Sequence, residues 1–479
     1  MNAINQFMEF PDKLDTAIKS LINAHTSSGR YDMMLDGERY YQTKNTTINA
    51  RKHHIYAEDD KKNPVLIEDP YRANNRMASS FYKIQVDQKV NYSLGHPVTF
   101  ETDSDASGKL LLDTLGTNFS KTLRRIATGA AKKCVGWGLV NINAQGEFEI
   151  IRVAPEQVIA VYKDVDADEL EYGVRFYEVT TVSKDGAFGR VTQVEVWDDE
   201  MVTIYRESID THVYQLLTLE GEENPRYHFS KNRSFGTMTV ESKGISWGKV
   251  PLIPFYNNDD ELYDLRPIKN YIDVYDIVQS DFANNFEDFQ AMYWVLKGYN
   301  GTDLNEFLAQ VKIYKALKVA ADGDAHVEQI EVPHEARVAE LQNLETAIYK
   351  FGMAVDPSNM TGGSLTNVHI KAMFANLDLK ANEFEQQTKD FIWRLVYFVN
   401  VYLRQMNKGE IALKKVTFTR SLIINEAEVL ESNAKQMGSV SEETRLGKHP
   451  WVDNAVAEMK KMQEESSTQP ITDDPPPVE

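Results

Sequence analysis

Residues 367–407 read NVHIKAMFANLDLKANEFEQQTKDFIWRLVYFVNVYLRQMN, and this stretch decides the fold. Ile370, Phe374, Leu377, Ala381, Phe384, Thr388, Phe391, Leu395, Phe398 and Tyr402 alternate steps of four and three without a break. That period draws one stripe along an α-helix, whereas a strand alternates every two residues. At 1.5 Å per residue the helix is about 60 Å long. Its densest apolar part, 391–403, contains Arg394 and Asn400 and falls short of the roughly 20 residues a membrane span needs, so no transmembrane helix is expected.

Two shorter helical patterns precede it. Ile268, Ile272, Tyr275, Val278, Phe282, Phe286 and Phe289 form one stripe, while Asp273, Asp276, Asp281, Glu287 and Asp288 occupy the other faces with only Lys269 opposed. After an insert of about 40 residues, too small to be comfortable alone, Val338, Leu341, Leu344, Ile348, Phe351 and Val355 form the second stripe, ending at Asp356-Pro357. The insert reads as a strand at 292–297, a helix near 303–311 and strands at 316–320 and 327–332. Residues 356–367 form a loop rich in Ser, Thr, Asn and Gly, with one carboxylate and no base.

Upstream, a short helix is expected from about Asp12, a helical stretch over 74–83 running into 84–93, and another helix over 109–133. From 138 to 256 the period becomes two, with β-rich runs separated by turn signals such as Gln145-Gly146 and Lys184-Asp185-Gly186. This predicts one antiparallel meander. Downstream come a strand at 415–420, helices near 426–437 and 453–465, and a Ser/Thr/Pro/acidic tail, 466–479, expected to be disordered. The fold class is therefore α+β, mainly helical.

Composition narrows the function. With 479 residues the chain suggests roughly three domains. Its 52 Lys and Arg against 72 Asp and Glu give a net charge of −20, the wrong sign for gripping DNA by broad phosphate neutralisation. The single cysteine, Cys134, excludes an internal disulfide and a Cys-type zinc site, and points to a reducing cytoplasm. No secretory signal is visible at the N-terminus.

Catalytic motifs are sought and not found. There is no G-x-x-x-x-G-K-[ST] phosphate loop. His53-His54 has Arg51 and Lys52 beside it and no third ligand spaced nearby, which favours solvated histidines. His334-Glu335 opens like a zinc-protease helix, yet position 338 is Val. Cys134 lies beside Lys132 and Lys133, but a buried small hydrophobe is the better reading. No enzyme activity and no cofactor or metal is expected. Two acidic helices bracketing a small insert leave two readings: a soluble enzyme with a helical-hairpin arm, or one spoke of a ring whose neighbours bury the insert.

Several stretches, in order, resemble a known family. They are Arg39-Tyr40-Tyr41; Asn75 on through Val86-Asp87-Gln88-Lys89-Val90-Asn91-Tyr92-Ser93-Leu94-Gly95-His96-Pro97; Val250-Pro251 through Asn257-Asn258; and Ile272-Asp273-Val274-Tyr275-Asp276 with Ser280. The strand-helix-strand insert, Gly362-Gly363-Ser364 and Ser441-Glu442-Glu443-Thr444 before Pro450 follow. The chain is similar to the portal proteins, head-to-tail connectors of tailed bacteriophages, of the type found in long-tailed phages of Gram-positive hosts. It departs from them at Thr366-Asn367-Val368, where a Ser-Gly-x-Ala type helix start is common, so the first residue of the long helix stays open.

The resemblance implies a portal fold: a wing (1–264), stem helices (265–291 and 334–355), a clip (292–333), a tunnel loop (356–367), a long wing helix (368–407), a crown (408–465) and a tail. It implies a ring of about twelve copies at one capsid vertex of the virion, assembled in the host bacterial cytoplasm, through which double-stranded DNA enters and leaves. The implied partners are a packaging terminase motor, a head-tail adaptor, and major capsid and scaffolding proteins, with no membrane. Asn359, Met360, Thr361, Gly362, Gly363, Ser364, Leu365, Thr366 and Asn367 would meet DNA. Lys312, Lys315 and Lys318 are candidates for a basic ring in the clip, and a solvated or intersubunit salt-bridging face fits them equally. Met292, Tyr293, Trp294 and Val295 would pair or pack across subunits and dock partners. The charge pattern then reads as an acidic channel wall without phosphate wells. Another structural head protein, such as a scaffold, is the alternative within the same class.

Overall fold

The computed structural model describes residues 10–58, 63–69, 72–163, 169–183, 185–218, 223–235, 238–288, 293–297, 324–328, 334–360, 366–421, 426–447, 449, 451–452 and 455–468. Pro11 sits at the first position of helix α1 (Pro11–Thr26), where a missing N–H costs nothing. Ser28 caps α2 (Gly29–Tyr41) and Asn45 caps the short α3 (Thr46–Ala50). A hairpin of β1 (His54–Glu58) and β2 (Pro64–Glu68) follows. Neither α2, α3 nor this hairpin is anticipated from the periodicity.

Helix α4 (Phe81–Leu94) starts later than expected. Residues 74–80 are not helical, because their backbone N–H groups bond to another helix, as described below. Strand β3 (Thr99–Thr102) leads to α5 (Asp105–Leu115) and α6 (Phe119–Lys133). The single helix expected over 109–133 is broken at Gly116, whose φ of +74° suits glycine and ends α5.

The β-rich region is two sheets rather than one meander. Strand β4 (Val135–Ile142) lies between β5 (Phe148–Val153) and the distant β14 (Leu252–Tyr256). The meander proper is β6 (Val158–Tyr162), β7 (Leu170–Val182), β8 (Phe188–Trp197), β9 (Met201–Glu207) and β10 (Tyr214–Leu216), each paired with the next, with β11 (Arg226–Tyr227) also on β9. A further hairpin, β12 (Phe229–Phe235) with β13 (Met238–Ile245), was not anticipated. Leu14 and Ile18 of α1 close one face of the meander, against Val174, Val194 and Tyr205.

Helices α7 (Lys269–Asp288) and α8 (His334–Phe351) form an antiparallel pair. Tyr271 near the start of α7 stacks on Phe351 at the end of α8, centroids 5.2 Å apart, and Phe282 meets His334 at 5.3 Å. Phe81 of α4 inserts edge-on between Tyr275 and Tyr349, fastening the pair to the rest of the chain. At its far end β15 (Tyr293–Lys297) pairs antiparallel with β16 (Asp324–Glu328), so Tyr293, Trp294 and Val295 face Glu328, Val327 and His326 across the ladder. The second strand begins earlier than 327. Met292, Lys312, Lys315, Lys318, the expected helix at 303–311 and the strand at 316–320 lie outside the described residues.

Helix α9 (Asn367–Gln405) runs 39 residues, about 58 Å. All ten positions of its stripe are buried. Phe384, Phe391, Leu395 and Phe398 enter the main core with α4, α6 and β14. Strand β17 (Leu413–Thr417) then pairs with β3, slightly ahead of the expected 415–420. Helices α10 (Glu426–Lys435), α11 (Glu442–Leu446) and α12 (Ala455–Thr468) end the described chain. Helix α12 continues to Thr468, past the expected start of the tail, and 469–479 lie outside the described residues.

Candidate functional site

The loop between α8 and α9 hangs from a rigid frame. Gln85, Gln88, Lys89 and Tyr92 recur at i, i+3, i+4 and i+7, which places four polar groups on one face of α4. Gln85 Nε2 donates to the carbonyl of Ile348 at 3.1 Å. The Gln88 amide makes two bonds to Val355, accepting from its N–H at 3.1 Å and donating to its carbonyl at 2.7 Å. Lys380 Nζ of α9 reaches the Gly352 carbonyl at 2.9 Å. A Cβ at Gly352 would stand 2.0 Å from Gln85 Oε1, so any larger residue there must push that buried amide aside. Helix α8 thus ends with its last turns bonded to α4 and α9.

Beyond the frame the chain loosens in steps. Asp356 Oδ1 accepts from the Ser358 N–H at 2.9 Å and opens a 3-10 turn, Pro357–Met360, which contains Asn359 and Met360. Thr361, Gly362, Gly363, Ser364 and Leu365 lie outside the described residues. Thr366 is the N-cap of α9, its hydroxyl accepting from the His369 N–H at 3.3 Å, and Asn367 is the first helical residue. This settles the helix start that the sequence leaves open. Val368 and His369 on the first turn are exposed, and Ile370, Phe374, Leu377 and Ala381 bury themselves with Tyr92 and Val355.

Behind the frame sits a buried charge junction. Lys89 Nζ lies 2.7 Å from Asn257 Oδ1 and 3.2 Å from Asp264, over the face of Phe384 at 4.4 Å. Lys380 reaches Asp264 at 3.3 Å, and Asn257 Nδ2 donates to the same carboxylate at 2.8 Å. Burial pulls the Lys89 ammonium down to about 8. Asp264 resists its own burial because Lys380, Lys89 and Asn257 hold the carboxylate below its usual range. The pair Asn257-Asn258 also closes the turn onto Leu262, whose carbonyl accepts from both amides.

A second strap crosses α9. Tyr92 Oη donates to Asp378 at 2.6 Å, and burial followed by that bond pushes the phenol up to about 12. Arg420, just after β17, donates to Asp378 at 2.7 Å, to Glu385 at 2.7 Å and to Asn382. Gln85, Lys380, Asp264 and Arg420 are not singled out by the sequence reading. The available signal was a polar stripe inside a helix that is otherwise buried.

Four carboxylates of α7 are engaged within the subunit. Asp276, Ser280 and Asn284 accept the backbone N–H groups of Ser79, Met77 and Asn75 at 2.9, 2.9 and 2.6 Å. Asp276 also takes Asn45 at 2.7 Å, and Asp273 takes the Tyr40 hydroxyl and Thr47. Asp281 pairs with Arg51 at 2.8 Å and Glu287 accepts from Asn75 Nδ2 at 2.8 Å. These groups fasten the helix to the N-terminal region. Their acidity reflects a need for acceptors, since a run of backbone donors must be satisfied somewhere.

Cys134 is fully buried and burial pushes its thiol up to about 11, as a small core residue requires. Among the described residues no three His, Cys, Asp or Glu side chains are grouped to hold a metal.

A family model described as phage portal protein, SPP1 Gp6-like, matches residues 19–470. The "Portal protein" of Bacillus phage SPP1 is 32% identical over 457 residues, spanning 94% of this chain and 86% of its own length. The "Portal protein" of Clostridium phage phiCD119 is 27% identical over 469 residues, spanning 94% and 96%. A solved chain from the neck of an empty GTA particle shares 10% identity and covers 77% of this chain and 90% of its own, with a TM-score of 0.40.

Proposed function

Since the chain belongs to the SPP1 Gp6-like phage portal proteins, structural ring-forming components of the phage head, we propose that it forms a closed ring of about twelve copies whose α8–α9 loops face DNA in transit. The observation that carries this reading is the framed loop. Val355 is held by Gln88 on one side and Thr366 caps α9 on the other, leaving ten residues between two fixed ends. Such a loop can follow a DNA helix whose symmetry differs from the ring while the body stays still. Its composition supports sliding rather than gripping. Asp356 is the one charged residue between Val355 and Val368, so hydroxyls, amides and backbone N–H groups make the contacts. The N-terminus of α9 adds a mild positive dipole beside them.

The finer assignments follow from the same reading. Residues 293–297 and 324–328 belong to the clip, and Trp294 with its neighbours packs across subunits and meets the motor and the adaptor. Lys312, Lys315 and Lys318 are candidates for its basic ring. The capsid and scaffolding proteins contact the outer wing and the crown.

The test has two parts. The purified 54.7 kDa chain should assemble into rings of about 660 kDa if twelve copies close the cycle, seen as annuli in electron micrographs. Gly363→Pro should stiffen the loop, and arginines at Thr361 and Thr366 should create phosphate wells. Both sets of variants should form rings yet package less DNA. Wild-type packaging by both would show that the loop does not meet DNA.

A further inference from the structure

The β1–β2 hairpin carries four exposed apolar side chains close together. Tyr56 is 73% exposed, Leu66 55%, Ile67 42% and Val65 41%. Tyr56 and Leu66 are cross-strand partners on one face, while Val65 and Ile67 lie on the other. Both faces therefore present apolar side chains to solvent, and among the described residues the two strands pair only with each other. A lone two-stranded hairpin is marginal in water, and exposed edges of this kind invite pairing with another chain.

Its base is nevertheless held firmly. The Asp69 N–H bonds the His53 carbonyl at 2.8 Å and Lys52 bridges Glu68 at 2.9 Å. Just outside, Arg51 bonds Asp281 and Asn75 bonds Asn284 and Glu287, so both ends of the hairpin are tied to the second half of α7. The hairpin is thus aimed relative to the stem, and apolar at the part that protrudes.

We propose that this hairpin is an arm that docks on the stem of the next copy of the same chain, an inference that rests on the ring reading above. A cyclic ring needs heterologous contacts, in which a patch on one side of each subunit meets a different patch on its neighbour. Rotation about the ring axis preserves height, so an arm rooted beside residues 281–287 meets the next stem near the same level. The α7–α8 pair offers an acceptor there in Phe286, which is 65% exposed. Size supports a subunit contact. Tyr56 and Leu66 together expose roughly 250 Å² on one face, the size of a patch that monomers rarely leave uncovered and about a third of what one partner contributes to a standard stable interface.

Two measurements on the full-length protein test this. Tyr56→Ser with Leu66→Ser should leave the circular dichroism and melting of the subunit unchanged, because these side chains stand in solvent, while the subunit concentration needed for rings rises at least tenfold. Rings that form at the wild-type concentration would overturn the proposal. Independently, Tyr56→Cys gives an accessible thiol, since the native Cys134 is buried; coupled to a maleimide-benzophenone and irradiated in assembled rings, it should link to α7 or α8 of another subunit. Links confined to one chain, or in assembled heads to a different phage protein, would overturn it. Failure of the wild-type chain to form rings would remove the ring reading and this inference together, whereas normal wild-type rings with unaffected variants would remove this inference alone.

Discussion

Replacing Asp264 by Asn removes one charge from the most enclosed ion pair among the described residues. Lys89 is 2% exposed and would keep two neutral amide oxygens, that of Asn257 and that of the new side chain, in place of a carboxylate, while Lys380 loses the carboxylate at 3.3 Å. The wild-type ammonium already titrates near 8, against about 10.4 in an unfolded chain, so holding it charged at pH 7 costs about 3 kcal/mol. Without Asp264 the ammonium is held more weakly still, and its penalty at pH 7 cannot exceed the cost of releasing the proton, about 4.6 kcal/mol, so the increment from Lys89 is at most about 1.4 kcal/mol. Lys380, left with the Gly352 carbonyl, and the Asn257 amide bring the expected destabilisation to about 2–4 kcal/mol.

The pH dependence has a definite sign. A lysine whose folded pKa is lowered destabilises fully below that pKa, and the penalty fades as pH rises towards the unfolded value. The variant begins to recover at lower pH than the wild type, so the gap between them narrows from pH 7 to pH 9. Thermal melting at fixed subunit concentration reads this out, at about 1 °C per kcal/mol for a unit of this size. Lys89→Met is the control: it keeps packing on Phe384 and leaves Asp264 paired with Lys380 and Asn257, so it should melt within about 1 kcal/mol of wild type or above it. A melting point of Asp264→Asn equal to wild type at pH 7, or Lys89→Met as damaging as Asp264→Asn, would refute the reasoning.

Other outcomes follow from the same geometry. Ser280→Ala strands the Met77 N–H and should cost about 1–2 kcal/mol, whereas Met77→Leu at the other end of that bond should be close to neutral, a contrast measured by urea unfolding. Gly352→Ala forces Gln85 aside and should lower stability by about 1–3 kcal/mol and packaging yield with it; unchanged packaging would detach the frame from the loop's role. Trp294→Ser should weaken ring assembly or adaptor binding, and a variant ring as heat-stable as wild type that still binds adaptor would remove the clip assignment.

The helices that announce themselves by a long apolar period were legible, and all ten stripe positions of α9 are buried as read. The stem stripe from Ile268 to Phe286 likewise gave α7. What failed was local. Residues 74–80 look helical because Arg76, Met77 and Ala78 suit a helix, but their donors are claimed by α7 over a sequence distance of about 200 residues, which no window can see. The split of the β region has the same cause, since β14 joins β4 from more than 100 residues away. The acidic residues of α7 were visible, but composition does not say which way a side chain points, and Asp273, Asp276 and Asp281 turn to the N-terminal region. Family resemblance flagged the run from Val86 to Ser93, and the structure supplies its physical content in Gln88, Lys89 and Tyr92.

The contact between residues 75–79 and α7 works as a vernier. Every second residue of an extended chain advances about 6.6 Å, and every fourth residue of a helix about 6.0 Å. Asn75, Met77 and Ser79 therefore stay in step with Asn284, Ser280 and Asp276 over three rungs while drifting only about 0.6 Å at each. Asn75 also turns its side chain to Glu287. Because the three rungs themselves use only main-chain hydrogens on the extended side, proline is the residue they exclude at 75, 77 and 79. The tolerance is one-sided: the lengths of the two repeats fix the register, and only the helical side has to spell it out.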